Sequence, residues 1–152
     1  MTTALHPPLA VAANPVFLGY VYTCLLLNLN LLALWVGSGA VRARSGVAIN
    51  PEDGVRYGAP VRELDPPQVA RILRVHRNAE AAIYPFLILG LVYVLVGGGA
   101  SIAVPIFVIF TGARIVHSIA YLKALQPWRT ISFAVSLLAL IALMVAILAA
   151  VL

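Results

Sequence analysis

Polar side chains that could do chemistry gather in three short stretches of this 152-residue chain. Arg74, Arg77, Asn78 and Ala81 recur at three- and four-residue steps, so a helix through them places them on one face. Arg114, His117, Ser118 and Tyr121 share a face in the same way, and Arg129-Thr130 forms the third stretch. Guanidiniums outnumber acids here, which suits an anionic ligand. The planar fork of arginine holds a carboxylate in bidentate fashion and stays charged at any cellular pH. No Ser-His-Asp or Cys-His nucleophile set is evident, and no metal site is expected.

The elements that must position these groups belong to a bilayer. Hydrophobic residues make up 62% of the chain and charged residues only 10%, with a mean hydropathy of +1.01. Soluble domains are about half apolar and about a quarter charged. Four stretches approach the roughly 20 apolar residues a crossing helix needs: about 16–40, 79–96, 101–122 and 130–152. The break at Gly97-Gly98-Gly99 and the segment Lys123 to Arg129 are short, so consecutive spans run antiparallel. The expected fold is all-α: a transmembrane four-helix up-down bundle forming one integral membrane domain over residues 1–152.

All 10 basic residues fall on one side of this layout. The positive-inside rule then makes the loop at about 41–78 cytoplasmic and puts both termini on the opposite side. Charge placement accounts for the net charge of +5 as topology, and no nucleic-acid partner is expected. Met1 to Pro15 lacks the basic start of a signal peptide, so the first apolar run is expected to be retained. Cys24 cannot form an intramolecular disulfide and reads as a packing residue. Asn50-Pro51-Glu52-Asp53 has the grammar of a helix start, and Asp65-Pro66-Pro67 that of a second. From there Val69 to Val96 can run as one helix extending the second span beyond the bilayer.

An arginine in a span costs on the order of 3 kcal/mol, and several together repel one another unless an anion lies between them. The arrangement points to a water-accessible anion pocket at the cytoplasmic end of the bundle. Some residues have plainer roles available. Arg71 can snorkel to the interface, and Glu80 can pair with Arg77 or His76 along its own helix. Tyr20, Tyr22 and Trp128 fit interfacial aromatic anchors, and Asp53 can be a capping acid. Arg114, His117 and Tyr121, on one face deep in a span, need partners.

The string Arg74-Val75-His76-Arg77-Asn78, continuing through Ile83-Tyr84-Pro85-Phe86-Leu87, resembles the second helix of the MAPEG family. These are membrane-associated proteins in eicosanoid and glutathione metabolism. Asn50 to Asp53 is similar to the family's loop motif, and Gly112 to Leu122 to its third helix. The likeness spans about Val41 to Phe133 and leans toward the microsomal glutathione transferase and prostaglandin E synthase branches. Ala81 occupies the place of the family's usual glutamate, with Glu80 one position earlier. Phe133 stands where the prostaglandin synthase branch has tyrosine, and the connection before Arg129 is one residue shorter.

The resemblance implies a homotrimer that binds glutathione as cosubstrate between subunits, while a lipophilic substrate enters from the membrane lipid. Carried over by position, Arg42, Arg74, Arg77, Asn78, His117, Tyr121, Arg129 and Thr130 would surround glutathione, with Arg114 supporting the pocket. Arg129 would stabilise the thiolate, with Asp53 as a polar catalytic helper. The expected activity is glutathione transfer to lipophilic electrophiles, or reduction of lipid hydroperoxides. Alternatives are a glutathione-dependent prostaglandin-type isomerase and a non-catalytic lipid-binding scaffold. The buried Arg114 and Arg129 argue against the scaffold. Spans without a broken helix at the midplane argue against a transporter.

Overall fold

The structure, a computed structural model, describes residues 13–152; most of the N-terminal stretch from Met1 lies outside the described residues. Five helices follow in order: α1 (Pro15–Ser45), α2 (Pro51–Tyr57), α3 (Pro67–Leu95), α4 (Ala100–Leu122) and α5 (Trp128–Val151). All but α2 are long and apolar enough to cross a membrane. Among the described residues the only extended pairing is an isolated parallel bridge between Ala48 and Val61, so the chain is all-helical.

Local chemistry sets the helix ends. The side chain of Asn14 accepts from the Val16 N–H at 2.9 Å and from the Phe17 N–H at 3.4 Å, and Pro15 follows at the first helical position. Helix α1 continues past Ala40 and stops at Gly46, whose φ of 65° is the left-handed conformation that glycine adopts without strain. Helix α2 begins after Asn50, whose side chain donates to Asp53 Oδ2 at 3.1 Å instead of capping the backbone. Helix α3 begins at Pro67 and continues through Pro85 as one 29-residue element. In the α3–α4 turn, Tyr93 donates its hydroxyl to the Gly99 carbonyl at 3.2 Å. A Cβ on Gly98 would fall 2.2 Å from the Tyr93 ring, so this turn needs glycine.

Helices α3 and α4 form the middle of the bundle, touching each other and both outer helices, while α1 and α5 do not meet. The core between them is aromatic around Phe86. Phe86 stacks on Phe110 with centroids 3.6 Å apart, and Phe107 packs edge-on to Phe86. Tyr20, read from sequence as an interfacial anchor, instead donates to the Leu87 carbonyl at 3.1 Å and leans on Phe107. It ties α1 to α3, whereas Tyr22 and Trp128 remain exposed. The loop between α1 and α3 is folded back on itself: the Ala48 N–H donates to Pro60 O at 3.1 Å and the Arg62 N–H to Ala48 O at 2.9 Å. Arg42 and Asp65 close it with an ion pair of 2.8 Å.

Candidate functional site

The most deeply buried charge among the described residues organises the site. Arg114 has 0% exposure, and its Nη2 donates to both the carbonyl and the side-chain Oδ1 of Asn78, at 3.1 and 3.0 Å. This joins the faces of α3 and α4 that carry the polar residues. Its Nε and Nη1 have no partner among the described residues. A buried guanidinium without a carboxylate is costly, so these free donors define strongly positive ground behind Asn78.

One turn further along α4, His117 is 97% buried, and its Nδ1 lies 2.9 Å from the Arg129 carbonyl. A carbonyl only accepts, so Nδ1 carries the hydrogen and donates it. Ser132 donates to the Trp128 carbonyl at 2.7 Å and stands 3.4 Å from the same His117 nitrogen. These contacts lock the first turn of α5 against α4. Arg129 then lays its guanidinium over the Tyr121 ring, 4.5 Å from the centroid, a cation–π contact that fixes its direction. His117 packs edge-on to Tyr121, with centroids 5.8 Å apart.

Asn78, His117, Tyr121, Arg129, Thr130 and Phe133 enclose a cavity of about 240 Å³. A second cavity of about 200 Å³ shares Asn78 and Phe133 and is otherwise lined by Ala81, Ala82, Phe110, Ser136, Leu137 and Leu140. The two adjoin along α5, a polar mouth beside Thr130 and a more apolar cavity reaching Leu140. From Thr130 to Leu140 the helix rises roughly 15 Å, at 1.5 Å per residue. A charged group held at the mouth would thus meet an apolar one lodged in the span.

The residues expected to act together are only partly assembled within one chain. Asn78, His117, Tyr121, Arg129 and Thr130 share the polar cavity, with Arg114 behind it. Arg74 and Arg77 are exposed on α3 and line neither cavity. Arg42 and Asp53 line a different cavity of about 420 Å³, between the end of α1 and the loop. Glu80 accepts from the Tyr84 hydroxyl at 3.2 Å and lies 3.5 Å from His76 Nδ1, along its own helix. Two supports escaped the reading of sequence. Asn30 donates to Ser118 Oγ at 3.1 Å, tying α1 to the polar face of α4, and Ser132 braces His117. For both, the available signal was a small polar residue interrupting an apolar run.

Comparison with known proteins follows the same path. The model of the MAPEG family matches residues 20–149. Prostaglandin E synthase of Equus caballus is 37% identical over 131 residues, covering 86% of each chain. That of Homo sapiens is 36% identical over 124 residues, 81% of this chain and 82% of its own. Microsomal glutathione S-transferase 1 of Homo sapiens is 35% identical over 130 residues, 81% of this chain and 83% of its own. With similarity of this extent lying on a frame of four membrane-length helices, the chain belongs to the MAPEG family and is a multi-pass integral membrane protein.

Proposed function

We propose that the protein is a membrane-bound glutathione transferase that holds glutathione in the polar cavity and joins its sulfur to a lipophilic electrophile in the adjoining apolar one. The observation that carries this reading is that the two cavities adjoin, with Asn78 and Phe133 in the wall of both. A hydrophilic thiol and a bilayer-soluble partner can meet there without either leaving its preferred medium. Family membership supports it, since relatives include a glutathione S-transferase and prostaglandin E synthases.

The chemistry asks little of the protein's own nucleophiles. A free thiol has a pKa of about 8.5, so little thiolate is present at neutral pH. Each unit of depression requires about 1.4 kcal/mol of preferential stabilisation of the anion. Arg129, oriented by Tyr121 and by the bond from His117 to its carbonyl, supplies a guanidinium at the cavity wall for that purpose. The thiolate then attacks the electrophilic carbon. With an aryl halide a carbon–sulfur bond forms and halide leaves; with a lipid hydroperoxide the thiolate instead attacks the terminal oxygen, an S–O bond forms as O–O breaks, the lipid alkoxide leaves as the alcohol, and a second glutathione converts the sulfenic acid to disulfide and water.

The remaining expected site residues fit an assembly of more than one copy. Arg42, Asp53, Arg74 and Arg77 lie outside the polar cavity of a single chain, and a homotrimer with glutathione between subunits would bring Arg42 and Asp53 from one copy toward Arg129 of the next. The loop at 41–78 would face the cytoplasm and both termini the opposite side, in keeping with the basic residues clustered on the loop side. A glutathione-dependent isomerase acting on lipid endoperoxides is a second reading, favoured by the names of the prostaglandin E synthase relatives.

Full-length protein reconstituted in vesicles distinguishes these. Conjugation of glutathione to 1-chloro-2,4-dinitrobenzene is expected, together with a kcat/KM that rises as alkyl groups are added to the electrophile. Absence of any conjugation, with endoperoxide isomerised instead, would transfer the conclusion to the second reading.

A further inference from the structure

Asn78 and Phe133 stand in the wall of both cavities, and every other lining residue belongs to one cavity alone. Asn78 is committed to structure, since its carbonyl and its side-chain oxygen both accept from Arg114. Phe133 has no such tie. Its ring leans on His117, with centroids 6.1 Å apart and planes at 51°, and 44% of the residue stays exposed. Ala81 and Ala82, which share the apolar cavity with it, are small, so α3 brings no bulky side chain besides Asn78 to this space.

Position along α5 adds a direction. Arg129, Thr130, Phe133, Leu137 and Leu140 recur at helical spacing, so charge, aromatic ring and aliphatic wall follow one another on one face. Phe133 lies four residues beyond Arg129, a rise of about 6 Å at 1.5 Å per residue. With the thiolate held by Arg129 and the electrophile lodged against Leu137 and Leu140, the carbon–sulfur bond forms at the boundary between the cavities. Among the described residues, the side chain left to touch the reacting carbon there is Phe133. A second copy that brings Arg42 and Asp53 toward Arg129 adds groups at the polar mouth, whereas the boundary is built from α3 and α5 of one chain.

Building on the proposal that these cavities hold glutathione and an electrophile, we infer that Phe133 sets the electrophile class. It favours planar, electron-poor π electrophiles, such as activated aryl halides and conjugated enones, over saturated alkyl ones. An aromatic ring pairs with a second π system in offset-stacked or edge-on geometry and gains beyond the area that is buried. A saturated chain gains from the area alone. The preference acts at the bond-forming carbon itself, because in both favoured classes that carbon belongs to the π system. Attack on an aryl halide forms the carbon–sulfur bond and releases halide. Attack on an enone forms it at the β-carbon, and the α-carbon takes a proton from water.

The test uses the full-length protein in vesicles with glutathione and two halides, 1-chloro-2,4-dinitrobenzene and 1-iodohexane. In Phe133→Leu, kcat/KM for the aryl halide relative to the alkyl one should fall about three- to tenfold, the worth of an aromatic pair beyond its area. In Phe133→Tyr, which keeps the ring, the ratio should stay within about twofold of the parent. An unchanged ratio in Phe133→Leu, whether both rates fall or neither does, would show that the ring only fills space and would overturn the inference. A ratio lost equally in the leucine and tyrosine variants would overturn it too. If the parent consumes the aryl halide alone, aryl turnover is read in place of the ratio: loss in Phe133→Leu with recovery in Phe133→Tyr is expected, and equal loss in both contradicts the inference. Inactivity of the parent toward both halides would overturn the transferase reading, and this inference with it.

Discussion

At the scale of single residues, Asn78 serves two elements at once. Its oxygens take both Nη2 hydrogens of Arg114 while the residue also lines the polar cavity. Replacing it by leucine removes the side-chain acceptor and leaves only the backbone carbonyl to Arg114, for which a loss of about 1.5–3 kcal/mol is expected. Melting of the purified variant in detergent reads that loss. Adding Arg114→Met should restore most of the stability, because removing both partners leaves nothing unpaired; activity should stay low in both. A double variant no more stable than Asn78→Leu would mean that Arg114 is paired elsewhere. The alignment of Arg114, His117 and Tyr121 was legible in sequence, because helical spacing alone puts them on one face. The Arg42–Asp65 pair and the Asn30–Ser118 bond were not, because each joins segments whose approach only the folded chain decides.

At the scale of elements, helix starts were written in the sequence at Asn50-Pro51 and near Asp65, and the structure uses both. Asn14-Pro15 carries the same grammar at the head of α1. The loop clasp between Ala48 and Val61 was not legible, since one parallel bridge has no alternating pattern to announce it. Gly54 is the residue that permits it: a Cβ there would fall 2.4 Å from Val61 Cγ2 and 3.1 Å from the Ala59 carbonyl. Gly54→Val should therefore open the loop at a cost of about 1–3 kcal/mol. Limited proteolysis should then cleave residues 46–66 faster than in the parent protein. Equal cleavage rates would show that the clasp does not hold the loop.

At the scale of the whole molecule, much of the apolar surface remains uncovered. Trp35, Leu138 and Val145 are each more than 60% exposed on a single chain, as suits helices facing lipid or one another. Sidedness can be read after replacing Cys24 with alanine and introducing one cysteine at Arg62 or Ser101. In vesicles oriented as in the cell, an impermeant maleimide should label Ser101→Cys directly, and Arg62→Cys only after permeabilisation. The reverse pattern would invert the proposed topology. The four spans were legible because lipid demands length and apolarity together. The antiparallel pairing of α3 with α4 was legible in their short connection, but the separation of α1 from α5 was not, because apolar helices carry little signal for which neighbour they choose.

The central claim is that Arg129 makes this membrane protein a thiolate-forming glutathione enzyme. Rapid mixing of the purified protein with glutathione, followed by the ultraviolet absorbance of the thiolate, measures it most directly. A thiolate signal that saturates with glutathione at neutral pH is expected. It should be abolished in Arg129→Leu, with turnover falling about 10²–10³-fold, as when one preorganised donor to a developing anion is removed. An unaltered thiolate signal in Arg129→Leu, or none in the parent protein, would contradict the claim.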